Sequence, residues 1–163
     1  MNNAGFFCLK TPIGPIAIRY EQTPFRLTGI DLRPGGKEAA SAPCAKSSVS
    51  AVNAVNHMIL QYFQGVGIDP PWKILSMDHL TPLQQKVLYE TVQIPYGTQK
   101  TYKWIAGAIG RPRACRFVGS ALGKNPFPLI IPCHRVIRSD GRIGHFGSGP
   151  ALKKWLIDFE SRQ

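Results

Sequence analysis

Residues 132–136 read Pro-Cys-His-Arg-Val and follow directly on the apolar run Leu129-Ile130-Ile131. A thiol leaving a buried strand beside an imidazole and a guanidinium lies in a positive field, and such a field lowers a cysteine's pKa and supplies thiolate. Cys133 is therefore the candidate nucleophile. Most free cysteines are small buried hydrophobes; the stiffness around this one sets it apart. Pro132 directs the chain, Asn125-Pro126 and Pro128 bracket the apolar run, and Asp140-Gly141 turns the chain after Arg135-Val136-Ile137.

The elements that must hold this thiol are limited by length and charge. A chain of 163 residues makes one domain or two small ones, and 44% hydrophobic residues suffice for a real core. No apolar stretch approaches a membrane span, and Met1-Asn2-Asn3-Ala4 lacks the basic region of a secretory signal, so a cytoplasmic protein without a membrane partner is expected. Cys8, Cys44, Cys115 and Cys133 are widely spaced with no Cys-x-x-Cys pair; neither a disulfide framework nor a four-ligand zinc site is suggested. The formal net charge of +11 points to a polyanionic partner. Its distribution narrows the choice: residues 1–81 carry 7 Lys/Arg against 5 Asp/Glu, and residues 82–163 carry 13 against 4. The nucleic-acid candidate is the second half.

Short apolar segments predict strands at Gly5–Leu9 and Ile16–Tyr20, joined by Thr11-Pro12-Ile13-Gly14-Pro15, and a third at Leu27–Leu32, an antiparallel meander. The Pro-, Gly-, Ala- and Ser-rich stretch from Arg33 to Ser47 reads as a loop. Val49, Val52, Val55, Met58, Ile59 and Tyr62 then recur at helical spacing, which predicts a helix from Ser48 to Phe63 covering one face of the sheet. A boundary falls in Gly65–Asp78, giving domains 1–75 and 80–163. In the second, Thr81-Pro82 is a cap and first-turn proline for a helix ended by Pro95-Tyr96-Gly97. Thr101 caps another helix that Gly110 stops, and a third runs from near Pro112 to Gly123. Two short helices joined by a Gly turn have a helix-turn-helix outline with the third helix presented to DNA. Arg111, Arg113, Arg116 and Lys124 stud that helix, and Ala114, Gly119, Ser120 and Ala121 keep it slim enough for a groove. A final helix spans Pro150–Glu160. The fold class is α/β in the α+β sense.

Tyr102, the Arg113-Ala114-Cys115-Arg116-Phe117-Val118-Gly119-Ser120-Ala121 helix, Asn125-Pro126, Ile131-Pro132-Cys133-His134-Arg135-Val136 and the tail Lys153-Lys154-Trp155-Leu156 closing on Glu160 resemble the O6-alkylguanine-DNA alkyltransferases. The resemblance covers roughly residues 80–162, and its core motif is highly specific. It implies an N-terminal ribonuclease-H-like sheet with helix, a C-terminal winged-helix or helix-turn-helix-like catalytic domain, and a monomer that acts on double-stranded DNA carrying O6-alkylguanine. It implies further that Cys133 takes the alkyl group in an in-line displacement and is consumed in one turnover. His134 would draw the thiol proton through a water, Glu160 would orient His134, and Asn125 would brace the turn. Tyr102 would sit by the extruded nucleotide and donate to guanine N3, and Arg116 would fill the vacated space in the stack. Arg113, Ala114, Gly119, Ser120 and Arg135 complete the expected DNA surface, with the helix in the minor groove.

Val136, Phe146, Gly147, Ser148 and Lys153 are the expected pocket for guanine and alkyl group, with a backbone N–H at Gly147 reaching O6 and Lys153 helping to hold thiolate. Here the chain departs from the family: His145-Phe146-Gly147-Ser148-Gly149 stands where most relatives have Asn-Tyr-Ser-Gly-Gly, so a ring hydroxyl is lost and the serine moves by one position. Some relatives bind zinc in the N-terminal domain, but Cys8, Cys44, His57 and His79 lack ligand-like spacing and no cofactor is expected. Three other readings stay open at this point: a lesion sensor that flips alkylguanine without removing it, a helix-turn-helix regulator, and a cysteine hydrolase.

Overall fold

The computed structural model describes residues 4–33 and 49–163. The chain divides into two compact units, Met1–Met77 and Asp78–Gln163. Among the described residues the architecture is mixed α/β, with a three-stranded antiparallel sheet and five α-helices.

In the first unit β1 (Ala4–Thr11), β2 (Gly14–Gln22) and β3 (Phe25–Asp31) pair in the order β1-β2-β3. Phe7 faces Ile18 and Leu9 faces Ile16 across β1 and β2. The connection needs Gly14 at φ +98, a conformation open mainly to glycine, and Thr11 Oγ1 donates to the Gly14 carbonyl at 2.6 Å. Central β2 buries Ile16, Ala17 and Ile18 in succession, so both faces of the sheet are covered there. Helix α1 (Ser50–Tyr62) turns Val52, Val55, Ile59 and Tyr62 inward at helical spacing and packs against β1. The expected loop from Arg33 to Ser47 and the expected helix start at Ser48 lie, apart from Arg33, outside the described residues. A 3-10 turn at Trp72–Ile74 brings the chain back along β3, where Ser76 N–H donates to the Leu27 carbonyl at 2.9 Å. The stretch expected to separate the domains is therefore tied to the sheet as far as Met77.

In the second unit, α2 (Pro82–Val92) opens with a capping box: Gln84 N–H donates to Thr81 Oγ1 at 3.3 Å, and Thr81 N–H donates to Gln84 Oε1 at 2.9 Å. Thr101 Oγ1 caps α3 (Tyr102–Ala108) by accepting from Trp104 N–H at 3.1 Å. The helix expected from Pro112 begins only at Cys115, because Ala114 N–H closes a turn on the Arg111 carbonyl; it is α4 (Cys115–Gly123). Helices α2, α3 and α4 pack against one another through Val87, Leu88, Ile105, Ala106, Val118 and Ala121. Two short strands, β4 (Lys100–Thr101) and β5 (Val136–Ile137), pair in parallel. They had no sequence signal, since two residues carry no period. Their effect is to set the start of α3 beside the chain leaving Cys133. The last helix, α5 (Pro150–Glu160), packs on the 3-10 turn that holds Cys133 and buries Leu152, Lys153, Leu156 and Glu160. No helix among the described residues is long and apolar enough to cross a membrane.

Candidate active site

The turn that carries Cys133 is built from constrained backbone. Leu129, buried and without a glycine's freedom, stands at φ +73, a conformation that costs of order 1 kcal/mol or more and persists only where surroundings enforce it. Ile131 N–H then donates to the Phe127 carbonyl at 2.8 Å. Pro132 lies at φ −80, ψ 62, and Cys133 N–H donates across it to the Ile131 carbonyl at 2.8 Å, an inverse γ-turn. One 3-10 turn comes next, Cys133–Arg135. Asn125 ties these pieces together: its Oδ1 accepts from Phe127 N–H at 3.0 Å, and its Nδ2 donates both to the Ile131 carbonyl at 2.9 Å and to Cys133 Sγ at 3.1 Å.

Behind the thiol is a buried carboxylate shared by several donors. His134 Nε2 lies 2.6 Å from Glu160 Oε1. Arg135 Nε donates to Glu160 Oε2 at 2.9 Å, its Nη2 donates to Oε1 at 3.0 Å, and its Nη1 donates to the Ile94 carbonyl at 2.8 Å. Gly97 N–H donates to Glu160 Oε2 at 3.0 Å. Gly97 holds φ +74, and a Cβ there would meet the Glu160 carbonyl oxygen at 3.2 Å, so this close approach requires glycine.

Burial pushes the Glu160 carboxyl up, yet the hydrogen bonds and charges of His134 and Arg135 outweigh it and hold the pKa down to about 2. Burial also lowers His134, against the pull of Glu160. An ionised Glu160 facing a neutral ring fixes the tautomer: Nε2 carries the proton and donates it, and Nδ1 is the ring's acceptor. The expectation of a lowered thiol pKa is reversed. Cys133 is only 6% exposed, and burial raises its pKa against the opposing hydrogen bond from Asn125 and the charge of Lys153. At rest the site therefore holds a thiol beside a neutral imidazole, a protonated reserve in place of a standing ion pair.

Lys153 is 1% exposed and its Nζ donates to the Val136 carbonyl at 2.6 Å and to Tyr102 Oη and the His145 carbonyl at 3.3 Å each. Burial lowers its pKa to about 8, and Cys133 opposes this when its sulfur is ionised. Tyr102 Oη is raised, first by burial and then by the Cys133 charge. Tyr102 also fronts a cleft of about 760 Å³ whose lining includes Lys103, Arg116, Gly119, Arg138 and His145.

The structure thus forms two hydrogen-bonded pairs on adjacent residues of one turn, Asn125 with the Cys133 sulfur and His134 with Glu160, and Lys153 donates to Tyr102 at the edge of the cleft. Arg116 and Gly119 line that cleft, while Arg113 and Ser120 are exposed and Ala114 half-buried on the same segment. Arg135 departs from expectation. Instead of facing DNA it is buried and spent on Glu160 and Ile94, because an ionised carboxylate inside the unit needs a guanidinium as partner. Of the expected pocket residues, Val136 and Phe146 are buried, Gly147 is exposed and Ser148 is half-buried; none of the four lines the cleft, which Gly144 and His145 of the same loop do. Among the described residues no group of three or more His, Cys, Asp or Glu could hold a metal; Cys44 lies outside them.

The contributions of Gly97 and the Ile94 carbonyl carried no sequence signal, being 63 and 41 residues from their partners. Lys103, Arg138 and Asp140 at the cleft were also missed. The two-residue spacing of Arg138 and Asp140 just before the turn glycine Gly141 was the available clue.

Residues 82–162 match the family described as 6-O-methylguanine DNA methyltransferase, DNA binding domain. The chain is 34% identical over 157 residues to the methylated-DNA–protein-cysteine methyltransferase of Methanosarcina barkeri, covering 93% of this chain and 94% of that one. It is 37% identical over 160 residues to a DNA base-flipping protein of Thermus thermophilus, covering 93% and 97%. The crystal structure of Mycobacterium tuberculosis OGT in complex with DNA is similar at a TM-score of 0.72 and 28% identity, over 96% of this chain and 92% of that one. With a relative of that identity matched along nearly its whole length, and with a strained turn carrying a thiol next in the chain to the buried His134–Glu160 pair, the chain belongs to the methylated-DNA–protein-cysteine methyltransferase family.

Proposed function

We propose that the protein repairs alkylated DNA by moving the alkyl group from O6 of guanine onto Cys133, once and irreversibly, after the damaged nucleotide has swung out of the duplex. The observation that carries this reading is the hydrogen-bonded group at the thiol: Asn125 Nδ2 at 3.1 Å from Sγ, and an oriented neutral His134 next in the chain. In the reaction His134 Nδ1 takes the thiol proton, directly or through a water, and Glu160 and Arg135 steady the imidazolium that results. The sulfur lone pair forms the S–C bond as the C–O6 bond breaks, and that bond pair passes to the guanine. Tyr102 Oη donates a proton at N3 to neutralise it, with the Lys153 ammonium stabilising the tyrosine oxygen. A thioether has no ready leaving group, so the protein is consumed.

Extruding a nucleotide costs a few kcal/mol, which Arg116 offsets by filling the gap while the small residues of α4 lie against the minor groove. The first unit is read as the ribonuclease-H-like domain and the second as the helix-turn-helix-like catalytic domain, in a cytoplasmic monomer. Intact-mass measurement after incubation with duplex DNA bearing O6-methylguanine tests the reading: wild type gains one methyl group, and Cys133→Ala gains none. No gain in wild type refutes it. The Thermus thermophilus relative makes flipping without transfer the competing outcome, which predicts lesion-selective binding with no change in mass.

A further inference from the structure

The rim of the Tyr102 cleft carries a charged turn that the transfer chemistry leaves unused. Arg138 N–H donates to the Arg142 carbonyl at 2.9 Å, and Asp140 Oδ1 accepts from Arg142 N–H at 3.1 Å, so residues 138–142 close on themselves. Asp140 also grips the Arg138 side chain: Nε donates to Oδ1 at 3.3 Å, and Nη2 lies 3.0 Å from Oδ2. That uses one edge of the guanidinium and leaves the Nη1 edge for a ligand. Gly144, at φ +71, completes the seat. A Cβ there would meet Tyr102 Oη at 2.9 Å and Arg138 Cγ at 3.4 Å, so the glycine lets the arginine stem lie close beside the tyrosine ring. Arg138, Lys103 and Arg116 give the cleft three cations against one carboxylate, Asp140, which is already engaged.

We propose that Arg138, aimed by Asp140, is a specificity-determining residue that grips a phosphodiester flanking the extruded nucleotide. This deepens the repair reading above and rests on it. A guanidinium held along one edge by a carboxylate presents its other edge in a fixed plane, which suits the two free oxygens of a phosphodiester. Side chains 55% and 43% exposed make a weak ion pair, so its value is in orientation and not in stability. Only a nucleotide turned into the cleft brings its phosphate to this rim. The contact therefore forms with the lesion seated and not with intact duplex.

The test is an equilibrium titration in a Cys133→Ser background, which binds without reacting, using a short duplex with one O6-methylguanine and its undamaged counterpart over a range of salt. Each phosphate neutralised contributes about 0.9 to the slope of log K against log salt. Arg138→Ala is expected to lower the slope by about 0.9 on the lesion duplex and to leave it unchanged on the undamaged one. Arg138→Lys should restore the slope. Asp140→Asn should keep the slope but slow methyl transfer from saturating lesion duplex in the Cys133 protein, since the charge remains while its aim is lost. Arg142→Ala, which removes a neighbouring charge outside the cleft, is the comparator. An unchanged lesion slope for Arg138→Ala, an equal fall on both duplexes, or an equal fall for Arg142→Ala overturns the assignment. If wild type gains no methyl from the lesion duplex, the repair reading fails instead; if it does and Arg138→Ala shows no selective fall, only this inference fails.

Discussion

Glu160→Gln isolates the hub of the site. The substitution keeps the shape of the side chain, but one oxygen must do the work of two. The wild-type carboxylate takes His134 Nε2, Arg135 Nε and Nη2, and Gly97 N–H, whereas a glutamine turns its own N–H groups towards some of those donors. Arg135 is left charged and buried with the Ile94 carbonyl, the Tyr96 ring and at most a share of one amide oxygen. Removing one member of a buried ion pair costs about 3–5 kcal/mol. The depressed carboxyl gives a consistent figure: a fall from 4.5 to about 2 corresponds to about 3 kcal/mol. A carboxyl lowered by folding contributes fully above its unfolded pKa of 4.5, and the contribution disappears as pH falls through about 2. Wild type should thus exceed the variant by about 3–5 kcal/mol at pH 7, with the gap closing between pH 4.5 and 2. His134, lowered from 6.5 by burial against the pull of Glu160, loses that pull in the variant, so its acid-side loss of stability is larger there and the gap first widens below pH 6.5 before it closes through the carboxyl's own range. Urea titration in a Trp72→Phe background, where Trp104 and Trp155 report on the second unit, measures the difference. A gap under about 1 kcal/mol at pH 7, or one that does not narrow in acid, refutes the shared-carboxylate account.

Asn125→Ala should raise the Cys133 thiol pKa further and cost about 1–3 kcal/mol, since Phe127 N–H and the Ile131 carbonyl lose a partner; the pH profile of thiol labelling at Cys133, tracked by peptide mass, should move to higher pH, and an unmoved midpoint counts against the sulfur contact. Gly97→Ala should lower the melting temperature, by strain at φ +74 and by crowding the Glu160 carbonyl, with a cost above about 1 kcal/mol. Gly107→Ala, in helix α3 with open space around its Cβ, should instead gain about 0.5–1 kcal/mol. Equal effects of the two would refute the close approach at Gly97.

What could be read from the sequence was local. Thr81-Pro82 announced α2 because a cap and a first-turn proline act within four residues, and the meander announced itself by short apolar runs separated by Pro- and Gly-containing turns. The pentad around Cys133 marked the nucleophile because its breakers are adjacent in the chain. Arg135 was misjudged for the opposite reason: whether a guanidinium faces a phosphate or an internal carboxylate depends on a partner 25 residues away. The thiol's raised pKa was hidden likewise, since neighbours in sequence suggest charge but only the packed fold decides how much water is excluded. Arg138 looked like one basic residue among many until Gly144 and Tyr102 came alongside it.

The tight seat of Cys133 also governs the fate of the protein once it has reacted. Its sulfur accepts from Asn125 in a seat only 6% exposed, and any carbon bonded to it adds bulk there while weakening it as an acceptor. Overfilling a packed interior costs about 1–3 kcal/mol. The alkylated molecule is therefore expected to melt below the fresh one, so that a single repair event is written into the stability of the protein that performed it.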